Sequence, residues 1–151
     1  MKKRLFLTLA AVLTLLPSMA QQRNTFKENQ LATFGAHISA GDGLMLGVQA
    51  QYNLDNPIRL EGRVSTLPTV FPSLIVGVNG HYLFPMNQQI TLYPLVGVEA
   101  GMGWNKGYIG ANFGGGMQIE LTDDIFLTTE VTGLISSASA GRLTVGMHYR
   151  F

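Results

Sequence analysis

The sequence contains no cysteine. It therefore cannot form disulfides, use a thiolate in chemistry, or carry a lipid on a cysteine at a cleavage site. Charged residues are scarce, at 13% of the 151 residues, and no long uninterrupted apolar run lies beyond the N-terminus. Glycine, in contrast, is abundant, with 18 copies. The length suits a single domain, and the composition favours a β-protein whose apolar residues are spread over many strands.

The N-terminus has the pattern of a cleavable export signal. Residues 2–4 are basic, residues 5–16 form an apolar region, and Pro17 ends it. Ser18 and Ala20 supply small side chains at the two positions that matter for cleavage. The alternative is a membrane-anchoring helix, which needs about 20 apolar residues, and this run is shorter. The pattern therefore favours a signal peptide.

We predict three parts of the chain: a signal peptide at 1–20, a polar periplasmic lead-in at 21–30, and a β-domain at 31–151. Cleavage removes three of the ten Lys and Arg residues, which leaves seven against nine Asp and Glu. The mature chain is thus slightly acidic. It has no basic patch of the kind that indicates nucleic-acid binding, so we expect no nucleic-acid partner.

The last ten residues alternate between apolar and polar positions. The apolar parity holds Leu143, Val145, Met147, Tyr149 and Phe151, and the polar parity holds Arg142, Thr144, Gly146, His148 and Arg150. Because successive side chains of a strand point to opposite faces, this strand has one apolar face and one cationic face. A soluble sandwich would turn the charges outward to water, whereas a membrane barrel turns them inward to a polar lumen.

Turn-forming residues separate short alternating segments throughout the rest of the chain, and no stretch shows a helical period. We predict eight strands, at 31–40, 44–54, 58–67, 74–84, 90–102, 108–121, 125–135 and 142–151. The fifth and last connections are predicted at 103–107 and 136–141. Pro94, inside the fifth strand, removes a ladder donor and should lie near a strand end or a bulge.

Every charged residue inside a predicted strand falls on the polar parity of that strand. These residues are Arg59, Glu61, Arg63, Glu99, Glu120, Glu130, Arg142 and Arg150. A neutral set of cations and anions on one face fits a narrow lumen in which each charge finds a partner, because unpaired buried charge is costly. The sequence therefore predicts an all-β, eight-stranded, antiparallel up-and-down transmembrane β-barrel. The soluble alternative, a lipocalin-like carrier, would need the opposite parity of charges.

Aromatic residues gather at the predicted strand ends. If the chain starts in the periplasm, even-numbered strands end on the periplasmic side. Five outward aromatic residues near those ends are predicted to form an interfacial girdle: Tyr52, Tyr82, Phe84, Tyr149 and Phe151. Phe71, Trp104 and Tyr108 are predicted to mark the opposite rim.

The signal peptide, the alternating strands and the terminal Tyr149-Arg150-Phe151 resemble the small outer-membrane β-barrel family of Gram-negative bacteria. The resemblance covers residues 26–151 and is most recognisable in the segment 114–130, a glycine-rich strand, an acidic turn and a strand with an inward Glu130. It implies an outer-membrane location with both termini in the periplasm, contact with membrane lipid, and a monomer. It also implies that periplasmic chaperones and the barrel-assembly machinery handle the chain, with Phe151 as the assembly signal. The presumed extracellular loops are short, unlike those of relatives that adhere or bind receptors.

Candidate chemistry is sparse. His37 and Ser39 share the polar parity of the first strand, and a His/Ser pair could activate a nucleophile if a carboxylate oriented the imidazole. The pair faintly resembles the His-x-Ser motif of outer-membrane lipid A deacylases, but it should face the lumen, away from lipid. His81 and His148 are predicted near the periplasmic ends of their strands, whereas His37 is predicted near the outer end of its strand. The spacing of the three histidines in the sequence has no metal signature. We predict no catalytic, cofactor or metal site, and we assign His37, Ser39, His81 and His148 to lumen hydrogen bonding.

Three functions remain open at this point. The first is a structural or accessory outer-membrane barrel, not an enzyme, whose lumen is filled by salt-bridged side chains. The second is a conduit for small or apolar molecules through a glycine-rich lumen. The third is a lipid-modifying enzyme that uses His37 and Ser39.

Overall fold

The fold is described from a computed structural model, which covers residues 32–41, 43–54, 57–69, 73–103, 106–136 and 139–151. The predicted signal peptide and lead-in, with Phe71 and Trp104, lie outside the described residues. Among the residues that are described, no helix is long and apolar enough to cross a membrane.

The described chain forms eight long strands. They are β1 (Ala32–Ala40), β2 (Leu44–Asn53), β3 (Ile58–Thr66), β4 (Leu74–Tyr82), β5 (Ile90–Gly103), β6 (Lys106–Glu120), β7 (Ile125–Ile135) and β8 (Ala140–Arg150). A two-residue segment, Phe84–Pro85, continues β4 along the edge of β5. These bounds lie within two residues of the predicted strands at each end, and the predicted fold class is confirmed.

The strands close into a ring. Each strand pairs antiparallel with its neighbours in the chain, and β1 also pairs with β8, from Thr33 opposite Arg150 to Ala40 opposite Leu143. Closure leaves no open sheet edge along the ring. The backbone N–H and C=O groups of a single chain can therefore all be hydrogen-bonded within a membrane. We call the end where β1 begins and β8 ends the terminal end, and the other the distal end.

Burial alternates along the strands, and the polar side chains are the buried ones. Glu61 and Glu130 are 1% and 0% exposed, whereas Val96 and Ile109 on the outer face are 66% and 80% exposed. The pairing register keeps inward residues opposite inward residues around the ring, as in Thr33 opposite Gln51. This inside-out arrangement excludes the soluble carrier, because a water-soluble barrel would expose its charges and bury its valines.

Two predicted connections are longer than the observed ones. Gly103 pairs with Lys106, so the β5–β6 hairpin continues past the predicted end of each strand. Ala140 and Gly141 pair with Leu134 and Gly133, so β8 begins before Arg142. The prediction treated Gly103 and Gly141 as turn residues. Glycine can also pair within a ladder when the neighbouring strand extends to the same level, as it does here.

Pro94 lies inside β5, four residues from its start, where β5 faces the end of β4. The β4–β5 ladder pairs His81 with Leu95 and resumes with Phe84 opposite Leu92, and it is interrupted between these pairs. The N–H of Leu83 instead donates to the carbonyl of Pro57 at 2.8 Å. Pro94 therefore sits at a break in the ladder, where its missing donor costs no hydrogen bond.

Candidate functional site

The lumen is the candidate site, and its centre is an ion cluster formed by Glu61, Arg63 and Glu130. Arg63 Nε donates to Glu61 Oε1 at 2.9 Å, and Arg63 Nη2 donates to Glu61 Oε1 and to Glu130 Oε2, the latter at 2.6 Å. Arg63 lies on β3 and Glu130 on β7, which are diametrically opposite in a ring of eight strands. The contact therefore crosses the barrel axis.

Neutral side chains hold both carboxylates of the central cluster in place. Glu61 accepts hydrogen bonds from Gln51 Nε2 at 2.8 Å and from Asn79 Nδ2 at 3.0 Å, and the hydroxyl of Tyr93 donates to Glu130 Oε1 at 2.9 Å. Burial of an ion pair is tolerated only where such additional hydrogen bonds satisfy the remaining lone pairs.

Arg59, Tyr93 and His81 form a stack on the terminal side of the cluster. The Arg59 guanidinium lies 4.8 Å from the centre of the Tyr93 ring, and the His81 and Tyr93 rings stack with centroids 4.8 Å apart. Arg59 also donates to His81 Nδ1 at 3.1 Å and to Gln118 Oε1 at 2.6 Å. A buried guanidinium is thus surrounded by a ring face and neutral acceptors.

A second stack of the same kind lies at the terminal end. The Arg150 guanidinium lies 4.5 Å from the centre of the Phe126 ring, and Phe126 stacks on His148 at 4.6 Å. Arg150 Nη1 donates to Glu120 Oε2 at 2.6 Å, and Gln49 Nε2 donates to His148 Nε2 at 2.6 Å. Phe126 and His148 are 0% and 1% exposed, so this stack fills the lumen near the terminal end.

Glu99, Arg142 and Tyr108 form a third group at the distal end. Arg142 donates to both oxygens of Glu99, at 2.7 and 3.0 Å, and the Tyr108 hydroxyl donates to Glu99 Oε1 at 2.6 Å. Tyr108 lies at the distal end, as predicted, but the prediction that it belongs to an interfacial aromatic girdle is wrong, because its side chain points into the lumen. Tyr108 shares the inward parity of Asn112 in β6, and its ring lies over Gly101.

Inward glycines give these long side chains room. A Cβ added at Gly77 would lie 3.4 Å from Arg63 Cγ and 3.7 Å from Glu99 Cγ, so the central and distal groups meet across this glycine. A Cβ added at Gly116 would lie 2.6 Å from the Tyr93 ring. A Cβ at Gly116 would push against the Tyr93 ring, whereas a Cβ at Gly77 would make ordinary van der Waals contacts with Arg63 and Glu99.

His37 and Ser39 lie in the lumen but do not bind each other. His37 Nε2 is 2.8 Å from Ser65 Oγ, and Ser39 Oγ is 2.8 Å from Thr144 Oγ1. Each is a hydrogen-bonded lumen residue, and a nucleophile activated by this pair would require His37 to release Ser65.

The three histidines do not form one ligand cluster: among the described residues, the group whose ligand atoms lie close together contains only His81 of the three. His81 is the one that approaches carboxylates: its ligand-type nitrogen and the oxygens of Glu61 and Glu130 all lie within 4.8 Å of one another. The position between the two carboxylates is occupied by the guanidinium of Arg63. His81 Nδ1 accepts from Arg59, so Nε2 carries the hydrogen and cannot serve as a metal ligand at the same time.

The predicted girdle residues lie at the terminal end. Tyr52, Tyr149 and Phe151 are exposed, with Tyr149 and Phe151 packed edge-to-face at 5.2 Å. Tyr82 and Phe84 are partly exposed and contact each other at 4.7 Å. The girdle therefore consists of two aromatic pairs and Tyr52.

The sequence interpretation missed the neutral half of the lumen. Its main members are Tyr93, Phe126, Gln49, Gln51, Asn79, Asn112 and Gln118, all nearly inaccessible to solvent. Parity alone would have found them, because Tyr93 shares the parity of Glu99 in β5 and Phe126 that of Glu130 in β7. For Tyr93 and Phe126, the aromatic side chain favours an apolar or interfacial position, so residue type alone does not predict them in a polar lumen.

Fold and lumen together define the class: this is a closed, eight-stranded antiparallel β-barrel with an apolar outer face and a polar lumen, the architecture of a transmembrane β-barrel. The N-terminal β-barrel domain of Pseudomonas aeruginosa OprF has the same fold, with a TM-score of 0.72 and 14% identity over 81% of this chain and 98% of that one. Neisserial surface protein A is also similar, with a TM-score of 0.59 and 14% identity over 80% of this chain and 94% of its own.

A de novo designed transmembrane β-barrel matches as well, with a TM-score of 0.66 and 13% identity over 83% of this chain and 98% of the design. Identities this low establish the fold alone. No protein-family model matches the sequence, and no curated protein matches it.

Proposed function

We propose that this protein is an integral outer-membrane barrel with a sealed lumen and a structural or accessory role in the membrane. The apolar outer face supports insertion in lipid, because a water-soluble protein would not expose a continuous band of Val, Leu and Ile. The similarity to outer-membrane barrels supports the choice of membrane. The protein is proposed to act without catalysis and as a monomer.

The observation that carries the proposal is the contact of Arg63 with Glu61 and Glu130 across the barrel axis. An eight-stranded barrel is only wide enough for side chains to fill its interior. At the level of Arg63 the guanidinium and its two carboxylates lie in the path that a solute would take, and the two aromatic stacks add further obstruction toward the terminal end. Such a lumen does not support free diffusion.

Planar-bilayer recording tests the sealed lumen. We expect no large, stable conductance from the purified protein, whereas a general porin inserted under the same conditions provides the open control. A large stable conductance from pure, heat-modifiable protein would refute the sealed lumen.

The conduit alternative has weaker support. It needs open space beside the inward glycines, and that space is filled: a Cβ added at Gly97 would lie 2.8 Å from Asn112 Oδ1 and closer still to Asn79. Uptake of small apolar molecules by vesicles that contain the protein, lost on Gly97→Val, would favour the conduit over the sealed barrel.

We further propose that both termini face the periplasm and that the aromatic girdle lies at the periplasmic interface. The absence of cysteine makes this testable with single-cysteine variants. Ser139 at the distal end and Gln88 at the terminal end are both exposed. In intact cells a membrane-impermeant maleimide should label Ser139→Cys, and it should label Gln88→Cys only after the outer membrane is permeabilised. The reverse pattern would invert the proposed orientation.

Biogenesis follows from the same proposal. The chain is expected to reach the membrane through periplasmic chaperones and the barrel-assembly machinery, which would read Phe151 at the end of the last strand. Phe151 is 71% exposed, and its N–H donates to the carbonyl of Ala32 at 3.3 Å, so the ring is available while the backbone is fixed.

A further inference from the structure

The charges of the lumen are divided between two halves of the ring. The first half, β1 to β4, carries Arg59, Glu61 and Arg63. The second half, β5 to β8, carries Glu99, Glu120, Glu130, Arg142 and Arg150. One positive charge is therefore in excess in the first half and one negative charge in the second.

Most ion pairs form within a half. Arg142 pairs with Glu99 and Arg150 with Glu120 inside the second half, and Arg63 pairs with Glu61 on the same strand of the first. Among the described residues, the contact between Arg63 and Glu130 is the one Arg–carboxylate pair that joins the halves. Glu130 has no other cation within ion-pair distance in this part of the chain.

The backbone pairing also has a distinctive feature at each of the two boundaries between the halves. Along the described strands, the ladder between β4 and β5 is the one that is interrupted, opposite Tyr93 and Pro94. The other boundary between the halves, β1 with β8, joins strands from the two ends of the chain, and such long-range pairing is entropically the slowest to form. Each half is thus a continuous four-stranded sheet, bounded on one side by the late-forming seam between β1 and β8 and on the other by the ladder that carries the break.

We propose that the barrel forms from these two half-barrels and that the Arg63–Glu130 contact is a latch, which forms last and holds the closed ring shut. Arg63 and Glu130 come within reach of each other only when β3 and β7 face each other across a closed lumen. Before closure, Glu130 lacks its cation although its Tyr93 hydrogen bond, which lies within the second half, can already exist. This inference goes beyond the proposed function and does not depend on it.

The kinetics of folding and unfolding in lipid vesicles test the latch, because a contact formed after the transition state affects unfolding alone. Glu130→Gln keeps the side-chain shape and removes the ion pair. We expect its unfolding rate to rise about tenfold or more, while its folding rate stays within about twofold of the wild-type rate. The matched variant Glu61→Gln removes a pair of equally buried residues on one strand of the first half, which can form before closure, and should slow folding.

The double variant Arg63→Met/Glu130→Gln completes the test. If the two residues act as one latch, Glu130→Gln should no longer accelerate unfolding in the Arg63→Met background. The proposal is overturned if Glu130→Gln slows folding by more than it accelerates unfolding, leaves both rates unchanged, or acts independently of Arg63. Gel migration with and without heating confirms in each case that the starting state is the closed barrel.

Discussion

The central cluster of Glu61, Arg63 and Glu130 and the terminal pair of Arg150 with Glu120 use the same chemistry in different surroundings. The side chains of Arg63 and Glu130 are 2% and 0% exposed, whereas those of Arg150 and Glu120 are 13% and 20% exposed. Water can reach the terminal pair and screen it, but it cannot reach the centre. Their contributions to stability should therefore differ, although both are short Arg–carboxylate contacts.

The two contributions to stability differ because removal of one charged partner leaves the other in different surroundings. At the centre, loss of Arg63 leaves two buried carboxylates beside each other without a cation, and an uncompensated buried charge is strongly destabilising. At the terminal end, water replaces the missing partner. Loss of one partner should therefore destabilise the barrel much more at the centre than at the terminal pair.

The largest effect is expected for Arg63→Ala. It should lower the free energy of unfolding by about 3–5 kcal/mol, because it strands Glu61 and Glu130 in the lumen. Urea titration of protein refolded in lipid vesicles measures this loss. Adding Glu130→Gln to Arg63→Ala should recover part of it, and a double variant less stable than Arg63→Ala would contradict the charge explanation.

An intermediate effect is expected for Gly116→Val, which tests the support of the centre by Tyr93. The new side chain would press on the Tyr93 ring that donates to Glu130, and overpacking of this kind costs about 1–3 kcal/mol. Gly62→Val is the matched control, because a Cβ at this outward glycine meets nothing within 4 Å. Equal losses in the same urea titration for both variants would show that packing against Tyr93 is not the cause.

The smallest effect is expected for Arg150→Ala, at most about 1 kcal/mol in low salt, because pairs that water reaches contribute little. The loss should shrink further in high salt, since the pair is screened, whereas the loss from Arg63→Ala should persist. Urea midpoints at two ionic strengths measure both. A salt-independent loss at Arg150 as large as that at Arg63 would remove the distinction between centre and rim.

The alternation of residue types predicted the strands and the side of each strand on which Arg59, Glu99 and Glu130 lie, because both follow from a period of two. The alternation did not predict which charges pair with each other. Arg63 could have met any of the inward carboxylates, and only the stagger of strands around the ring selects Glu130, a feature that no single strand encodes.

The aromatic residues show a second limit of sequence interpretation. Aromatic rings are common at membrane interfaces, which favours Tyr108 as a girdle residue at the distal rim. Its position in β6 gives it the inward parity instead, and its hydroxyl donates to Glu99. Position within the strand was the better guide than residue type. Trp104 lies outside the described residues and remains a prediction.

The seam between β1 and β8 places the first and last residues of the barrel strands side by side. The N–H of Phe151 donates to the carbonyl of Ala32 there. Chains whose ends lie this close tolerate circular permutation. A chain reopened at the turn after Pro85 and joined between Phe151 and Ala32 could thus keep the same ring of strands while ending in a different residue. The geometry of the barrel and the identity of the residue that ends its last strand are separable properties of this molecule.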